Sequence, residues 1–183
     1  MTDKPQPWER VSRETILDTR FVKVFNDVVK LPAGNVLDDY TVVSLKTGAI
    51  IVATDTEGNL ITFYEYKHGI RRVVLTLPGG GVEDGQSPLE TASKELLEET
   101  GYYSDELELV KVLHEYPSKL DHSIYVVRAK NARKIQDVEH ELTESIGEVH
   151  LLPLDTQNGS DLFEASAAIA ALALTLPEFL KRV

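Results

Sequence analysis

Apolar residues recur in short, partly alternating runs over most of the chain, a pattern of half-buried strands and not of long helices. Residues 21–31 are rich in Val and Phe and read as a strand, closed by the turn Pro32-Ala33-Gly34-Asn35. A second strand is expected over 40–45. The β-branched run 49–54 and residues 60–67 form a hairpin through Glu57-Gly58-Asn59. A short strand over 73–77 is halted by Pro78 and the run Gly79-Gly80-Gly81, which reads as a sharp turn. Further strands are expected over 107–116, 123–129 and 148–154, with a polar, acidic loop over 131–144.

Two segments break this period. Ser87 is placed as an N-cap, Pro88 as the first helical residue and Glu90 as the partner in a capping box. Gly101 is placed to end the helix in a left-handed conformation. The signals predict a helix over 88–100, with Leu89, Ala92 and Leu96 as its apolar face. An Ala-rich helix is expected over 162–174, ending before Pro177. Strands, helix, strands, helix is the order of an α/β or α+β sandwich, a mixed sheet between helices. Residues 1–45 stand apart as an N-terminal strand region that suits a dimerisation arm, and 46–183 as the main domain.

Composition narrows the function. Lys plus Arg number 19 against 30 for Asp plus Glu, a net charge of −11, so no basic stripe for nucleic acid or an anionic membrane is expected. An anionic substrate must then be attracted by something else, and a divalent cation is the simple candidate. Cysteine is absent, which excludes disulfides, thiolate nucleophiles and Cys-ligated zinc, and fits a reducing, cytoplasmic setting. Residues 1–13 are polar and unlike a signal peptide, and the apolar run 165–176 is too short to cross a bilayer.

The segment Lys94-Glu95-Leu96-Leu97-Glu98-Glu99-Thr100-Gly101 concentrates the chemistry. Glu95, Glu98 and Glu99 sit at i, i+3 and i+4 on one side of the predicted helix. Like charges at that spacing cost roughly 0.2–0.5 kcal/mol per pair, and the last turn is also the negative end of the helix dipole. Three carboxylates at one helix end form a hard-oxygen set suited to magnesium or manganese. A bound cation would turn their repulsion into attraction.

Gly80, five residues, Gln86, seven residues, then Lys94 to Tyr102 resembles the Nudix box, G-x5-E-x7-R-E-U-x-E-E-x-G-U. Gln86 stands where that family has Glu, and Lys94 where it has Arg. Leu77-Pro78-Gly79-Gly80 is similar to the Leu-Pro-Ala-Gly lead-in of the ADP-ribose and nucleoside-diphosphate-sugar pyrophosphatases. Glu65-Tyr66-Lys67 is similar to their Gln-Tyr-Arg strand, and Pro117 follows the box where they have proline.

The resemblance implies an α/β/α sandwich that hydrolyses a nucleoside-diphosphate sugar with Mg2+ or Mn2+. It implies metal ligation by Glu95, Glu98, Glu99 and the Gly79 carbonyl, and a homodimer built through N-terminal strands. The general base would come from the acidic loop, with Glu144 preferred, then Glu141; Glu139 and His140 lie beside them. Lys67, Arg71 and Arg72 are candidates for substrate phosphates. Tyr66, Phe21 and Phe25 are candidates for stacking on a base, with a core role the alternative for the two Phe. Gln86 and Lys94 suggest weaker activity or a changed metal preference, since Lys lacks the bidentate fork of Arg. A nucleotide-sugar binding protein with little catalysis, and a Nudix enzyme for another nucleotide, are the competing readings.

Overall fold

The computed structural model describes residues 4–138, 145–156 and 159–180. In chain order the strands are β1 (Glu9–Asp18), β2 (Val22–Lys30), β3 (Val36–Leu45), β4 (Gly48–Asp55), β5 (Leu60–Lys67), β6 (Arg72–Thr76) and β7 (Gly79–Gly81). Helix α1 (Pro88–Thr100) follows, then β8 (Tyr102–Tyr103), β9 (Glu106–Leu113), β10 (Leu120–Asp121), β11 (Ile124–Lys134) and β12 (Ile146–Leu152). The chain closes with α2 (Gly159–Leu162), α3 (Ser166–Thr175) and a 3-10 turn, Pro177–Leu180.

These elements form two compact units, residues 1–46 with 114–123, and residues 47–113 with 124–183. The first is a four-stranded sheet in the order β1-β2-β3-β10. β1, β2 and β3 form an antiparallel meander, and β10 joins β3 in parallel. The strand β1 was not anticipated from the sequence. All ten of its residues are exposed, and irregularities between Arg10 and Ser12 and between Thr15 and Leu17 erase the period-two pattern. Asp27 on β2 is buried, and Arg13 grips it with a two-pronged contact, Nε to Oδ1 at 2.6 Å and Nη2 to Oδ2 at 2.8 Å. That hydrogen-bonded guanidinium holds the Asp27 carboxyl below its ordinary pKa.

The second unit is a mixed eight-stranded sheet. Its central order is β12-β5-β4-β11-β8, with β6 on β5, β7 on β4 and β9 on β11. β4 and β11 run parallel, in register from Gly48–Ile124 to Ala53–Ala129. Their alternation sorts side chains into two cores. Ile51, Ala53, Val127 and Ala129 pack with Ala92 and Leu96 of α1. Val52 and Val126 pack with Ala168, Ala171 and Leu172 of α3. The helices therefore cover opposite faces, which is the expected α/β/α sandwich.

Three expectations need correction. Gly79–Gly81 is a short strand, paired to Ile50, Ala49 and Gly48. The expected helix over 162–174 is interrupted: Phe163 leaves helical geometry to bridge Leu75 and is buried, so α3 begins at Ser166. Leu89 was expected on the apolar face of α1 but is 36% exposed, and the buried apolar side chains of that helix are Ala92 and Leu96.

Candidate active site

Helix α1 is fixed at both ends by local chemistry. The Ser87 hydroxyl accepts from the Glu90 N–H at 3.2 Å, and the Ser87 N–H donates to the Glu90 carboxylate at 2.7 Å. That backbone donor, reinforced by the Ser87 hydroxyl, holds the Glu90 carboxyl below its ordinary pKa. At the other end Gly101 adopts φ +74° and donates its N–H to the Leu97 carbonyl at 2.8 Å. Ala92 and Leu96, both fully buried, seat the helix on the sheet.

The glycine strand β7 is held close to both the sheet and the helix. The Pro78 carbonyl accepts from the Ile51 N–H at 2.8 Å. The Gly79 N–H donates to Glu99 Oε2 at 2.8 Å. A Cβ at Gly79 would lie 2.4 Å from the Ala49 carbonyl oxygen, so the glycine permits a backbone approach that alanine would obstruct. A Cβ at Gly80 would lie 2.4 Å from Glu95 Oε1. The missing side chain of Gly80 is the space that the Glu95 carboxylate occupies.

Glu99 is only 4% exposed, an unusual location for a carboxylate unless something holds it there. The Gly79 N–H supplies part of that support. Glu98 is turned toward Lys94, with Nζ to Oε2 at 3.1 Å, and both side chains are more than a third exposed. Among the described residues no three acidic or imidazole side chains are gathered closely enough to hold an ion. Glu95 and Glu99 nevertheless line the β7–α1 junction with oxygen donors of the hardness that Mg2+ or Mn2+ selects. An exposed i, i+4 ion pair such as Lys94–Glu98 is worth only about 0.3–0.5 kcal/mol, so that contact by itself holds Glu98 weakly. The donor set thus fits a divalent cation. Gln86 lies at the helix start, accepting from the Thr91 hydroxyl at 3.3 Å.

The basic candidates separate. Lys67 and Arg72 are register partners on β5 and β6 and line a common cavity of about 470 Å3 with Val74, Thr76 and Glu164. Lys67 pairs with Glu65 at 2.6 Å, and Arg72 with Glu164 at 2.7 Å. Arg71 is in the hairpin turn with φ +55° and is exposed, outside the residues that line this cavity. Tyr66 is 39% exposed and its hydroxyl is 3.3 Å from His68 Nδ1. Phe21 and Phe25 belong to the first unit, where Phe21 is exposed and Phe25 lies beneath the Arg13 guanidinium at 4.2 Å. Glu139, His140, Glu141 and Glu144 lie outside the described residues.

Glu65 and Glu164 were not anticipated. Glu65 stands two positions from Lys67 on the same strand face, a spacing that could have flagged it. Glu164 reaches Arg72 across the fold, and nothing local announces it.

Residues 44–168 match the NUDIX domain family, and residues 8–43 match the nucleoside diphosphate sugar hydrolase N-terminal domain. The chain belongs to the Nudix family. An ADP-ribose pyrophosphatase of Bacillus subtilis (strain 168) is 25% identical over 175 residues, 93% of this chain and 94% of the relative. A methanol dehydrogenase activator of Bacillus methanolicus is 26% identical over 175 residues, with the same 93% and 94% coverage. A solved structure described as an ADP compounds hydrolase shares the fold, with a TM-score of 0.79, 22% identity and 94% of each chain covered. With its Nudix domain and this relationship, the protein is a Nudix pyrophosphatase-type hydrolase. No helix among the described residues is long and apolar enough to cross a membrane.

Proposed function

We propose that this Nudix hydrolase cleaves the pyrophosphate of ADP-ribose or a related nucleoside-diphosphate sugar, giving a nucleoside monophosphate and a sugar phosphate. The observation that carries the reading is the buried Glu99 tied to the Gly79 N–H, with Glu95 filling the space beside Gly80. Glu95, Glu98, Glu99 and the Gly79 carbonyl would hold Mg2+ or Mn2+. The ion would supply charge neutralisation for the phosphoryl oxygens, adding to the few cations of a chain of net charge −11.

The chain's own groups do the rest. Gly79 holds Glu99 in a fixed orientation, so its carboxylate needs little reorganisation on binding. Lys67 and Arg72 face a cavity whose volume, about 470 Å3, falls among those that take small ligands, and both present cations to the substrate phosphates. Arg71 and Tyr66 would meet the substrate from the hairpin rim. The proton of the attacking water passes to a carboxylate of the acidic loop, Glu144 first and Glu141 second. The described residues that flank that loop are tied to the ends of α1 and β5. The Ile135 N–H donates to the Gly101 carbonyl at 2.9 Å, at the end of α1, and the Tyr66 N–H donates to the Ser145 carbonyl at 3.0 Å.

A homodimer through the strand region of residues 1–45 completes the reading, with 46–183 as the hydrolase domain. Trp8, Val11, Ile16 and Leu17 are all exposed in the first unit, apolar surface that a second copy would cover. The acidic, cysteine-free chain suits the cytoplasm. The deciding assay is Mg2+-dependent release of AMP and ribose 5-phosphate from ADP-ribose, with a chelator and Glu99→Gln as controls. Loss of turnover in both controls supports the proposal. Tight ADP-ribose binding without turnover across metals and pH would contradict it.

A further inference from the structure

A second cavity in the hydrolase unit lies away from the acidic residues. It has a volume of about 160 Å3 and sits where β4 and β11 end beside the last turn of α3. Val52 and Arg128 are register partners and point to the α3 side of the sheet, opposite the face that α1 covers. Val52, Leu154 and Leu176 give it an apolar part, with Thr54 and Thr175 beside them. Arg128, Lys130 and Asn131 give it a cationic and amide-bearing part.

Arg128 is incompletely satisfied. Its Nη2 donates to Glu108, but its Nε is buried with no hydrogen-bond partner. A buried donor left unpaired is costly, and such a group calls for a ligand, an ion or a water. Lys130 is exposed and pairs with no carboxylate among the described residues. Asn131 is held with φ +52°, a left-handed backbone for a residue with a side chain, and its Nδ2 donates to Glu106 at 2.7 Å. It marks the irregularity in the β4–β11 pairing between Ala129 and Ala132, where the strand is reshaped beside the cavity.

The geometry points to a binding site for a small amphiphilic anion, an apolar body of about six carbons bearing one carboxylate. An apolar cavity of about 150 Å3 accommodates benzene, and this one is of similar size. The body would lie on Val52, Leu154 and Leu176. The carboxylate would meet the accessible part of the Arg128 side chain, which is 31% exposed, and the Lys130 ammonium. The apolar side chains of the lining disfavour inorganic phosphate, whose oxygens would face Val52, Leu154 and Leu176 without donors from them.

Benzoate is the probe, titrated calorimetrically into the full-length protein, with benzyl alcohol and inorganic phosphate as comparisons. The expected result is saturable binding of one benzoate per chain. Affinity should fall about tenfold or more in Arg128→Lys, which keeps the charge but removes the planar guanidinium, and in Lys130→Ala. Leu176→Trp, which fills the cavity, should abolish binding, while Glu99→Gln should leave it unchanged. Unsaturable benzoate binding overturns the proposal, as does an affinity unchanged from wild type in folded Arg128→Lys and Lys130→Ala. Preference for phosphate or benzyl alcohol, or only water in the cavity of a benzoate-soaked crystal, would also overturn it.

Discussion

Helices α1 and α3 pack on opposite faces of one sheet, yet they are made in contrasting ways. α1 has a capping box, a proline at its start, a left-handed glycine at its end and only two buried apolar side chains, Ala92 and Leu96. It also buries Glu99, which contributes nothing to a hydrophobic core. α3 has no side-chain cap and buries Ala168, Ala171 and Leu172 in the larger of the two cores. Packing holds α3 in place, as it does most protein helices. Local capping allows α1 to keep its place while devoting one side to like charges that weaken it. The difference sets a helix that bears the proposed site, α1, against one that is held by its core, α3.

The largest expected effect is on activity. Glu99→Gln should lower turnover by about 10²–10³-fold, the worth of the several kcal/mol that a metal-held charge supplies. Its thermal unfolding midpoint should change little, because the amide oxygen can still accept from Gly79. Leu172→Ala should do the reverse. It should cost about 2–5 kcal/mol in a denaturant titration, since the residue is fully buried, and leave turnover per folded molecule unchanged. If both substitutions lowered both quantities together, the division between the helices would be broken.

The adjacent glycines sharpen the contrast within the α1 side. Gly79→Ala places a methyl against backbone and should destabilise by about 1–3 kcal/mol. Gly80→Ala places it against the Glu95 carboxylate, which can swing aside, so it should spare the unfolding midpoint and lower turnover about 10–100-fold, as displaced supporting groups commonly do. Equal losses of stability in the two variants would contradict this. A smaller effect is expected at the cap. Ser87→Ala should cost about 1 kcal/mol in chemical denaturation.

The smallest effect is in pH. The Glu90 carboxyl is held below its ordinary pKa, so the folded state binds its proton less readily than the unfolded chain. Its stabilising contribution is present above the unfolded carboxyl pKa and is lost as pH falls through the depressed folded value. Glu90→Gln should therefore narrow the stability gap to wild type as the solution is acidified through the carboxylate range. A gap that widens on acidification would refute the sign.

The same contrast explains what was legible in the sequence. The boundaries of α1 could be read from Ser87, Pro88, Glu90 and Gly101, because a cap is a short-range interaction. The start of α3 could not, because Phe163 is taken out of the helix by Leu75, which is remote in sequence. β7 was hidden for a similar reason: a glycine run reads as a turn until β4 is known to pair with it. The carboxylate spacing on α1 was visible, but the burial of Glu99 and the Gly80 space occupied by Glu95 are tertiary facts. The sequence marks Lys67 as a candidate phosphate contact, while its pairing with Glu65 emerges from the fold.

In the proposed site, α1 presents its acidic residues to a divalent cation at the glycine strand. Crystals of the protein grown with Mn2+ and measured at the manganese absorption edge test it most directly. The expected result is an anomalous peak within bonding distance of the carboxylates of Glu95 and Glu99, beside the Gly79 carbonyl. A map with no peak at the β7–α1 junction, or with manganese bound only elsewhere on the surface, would contradict it.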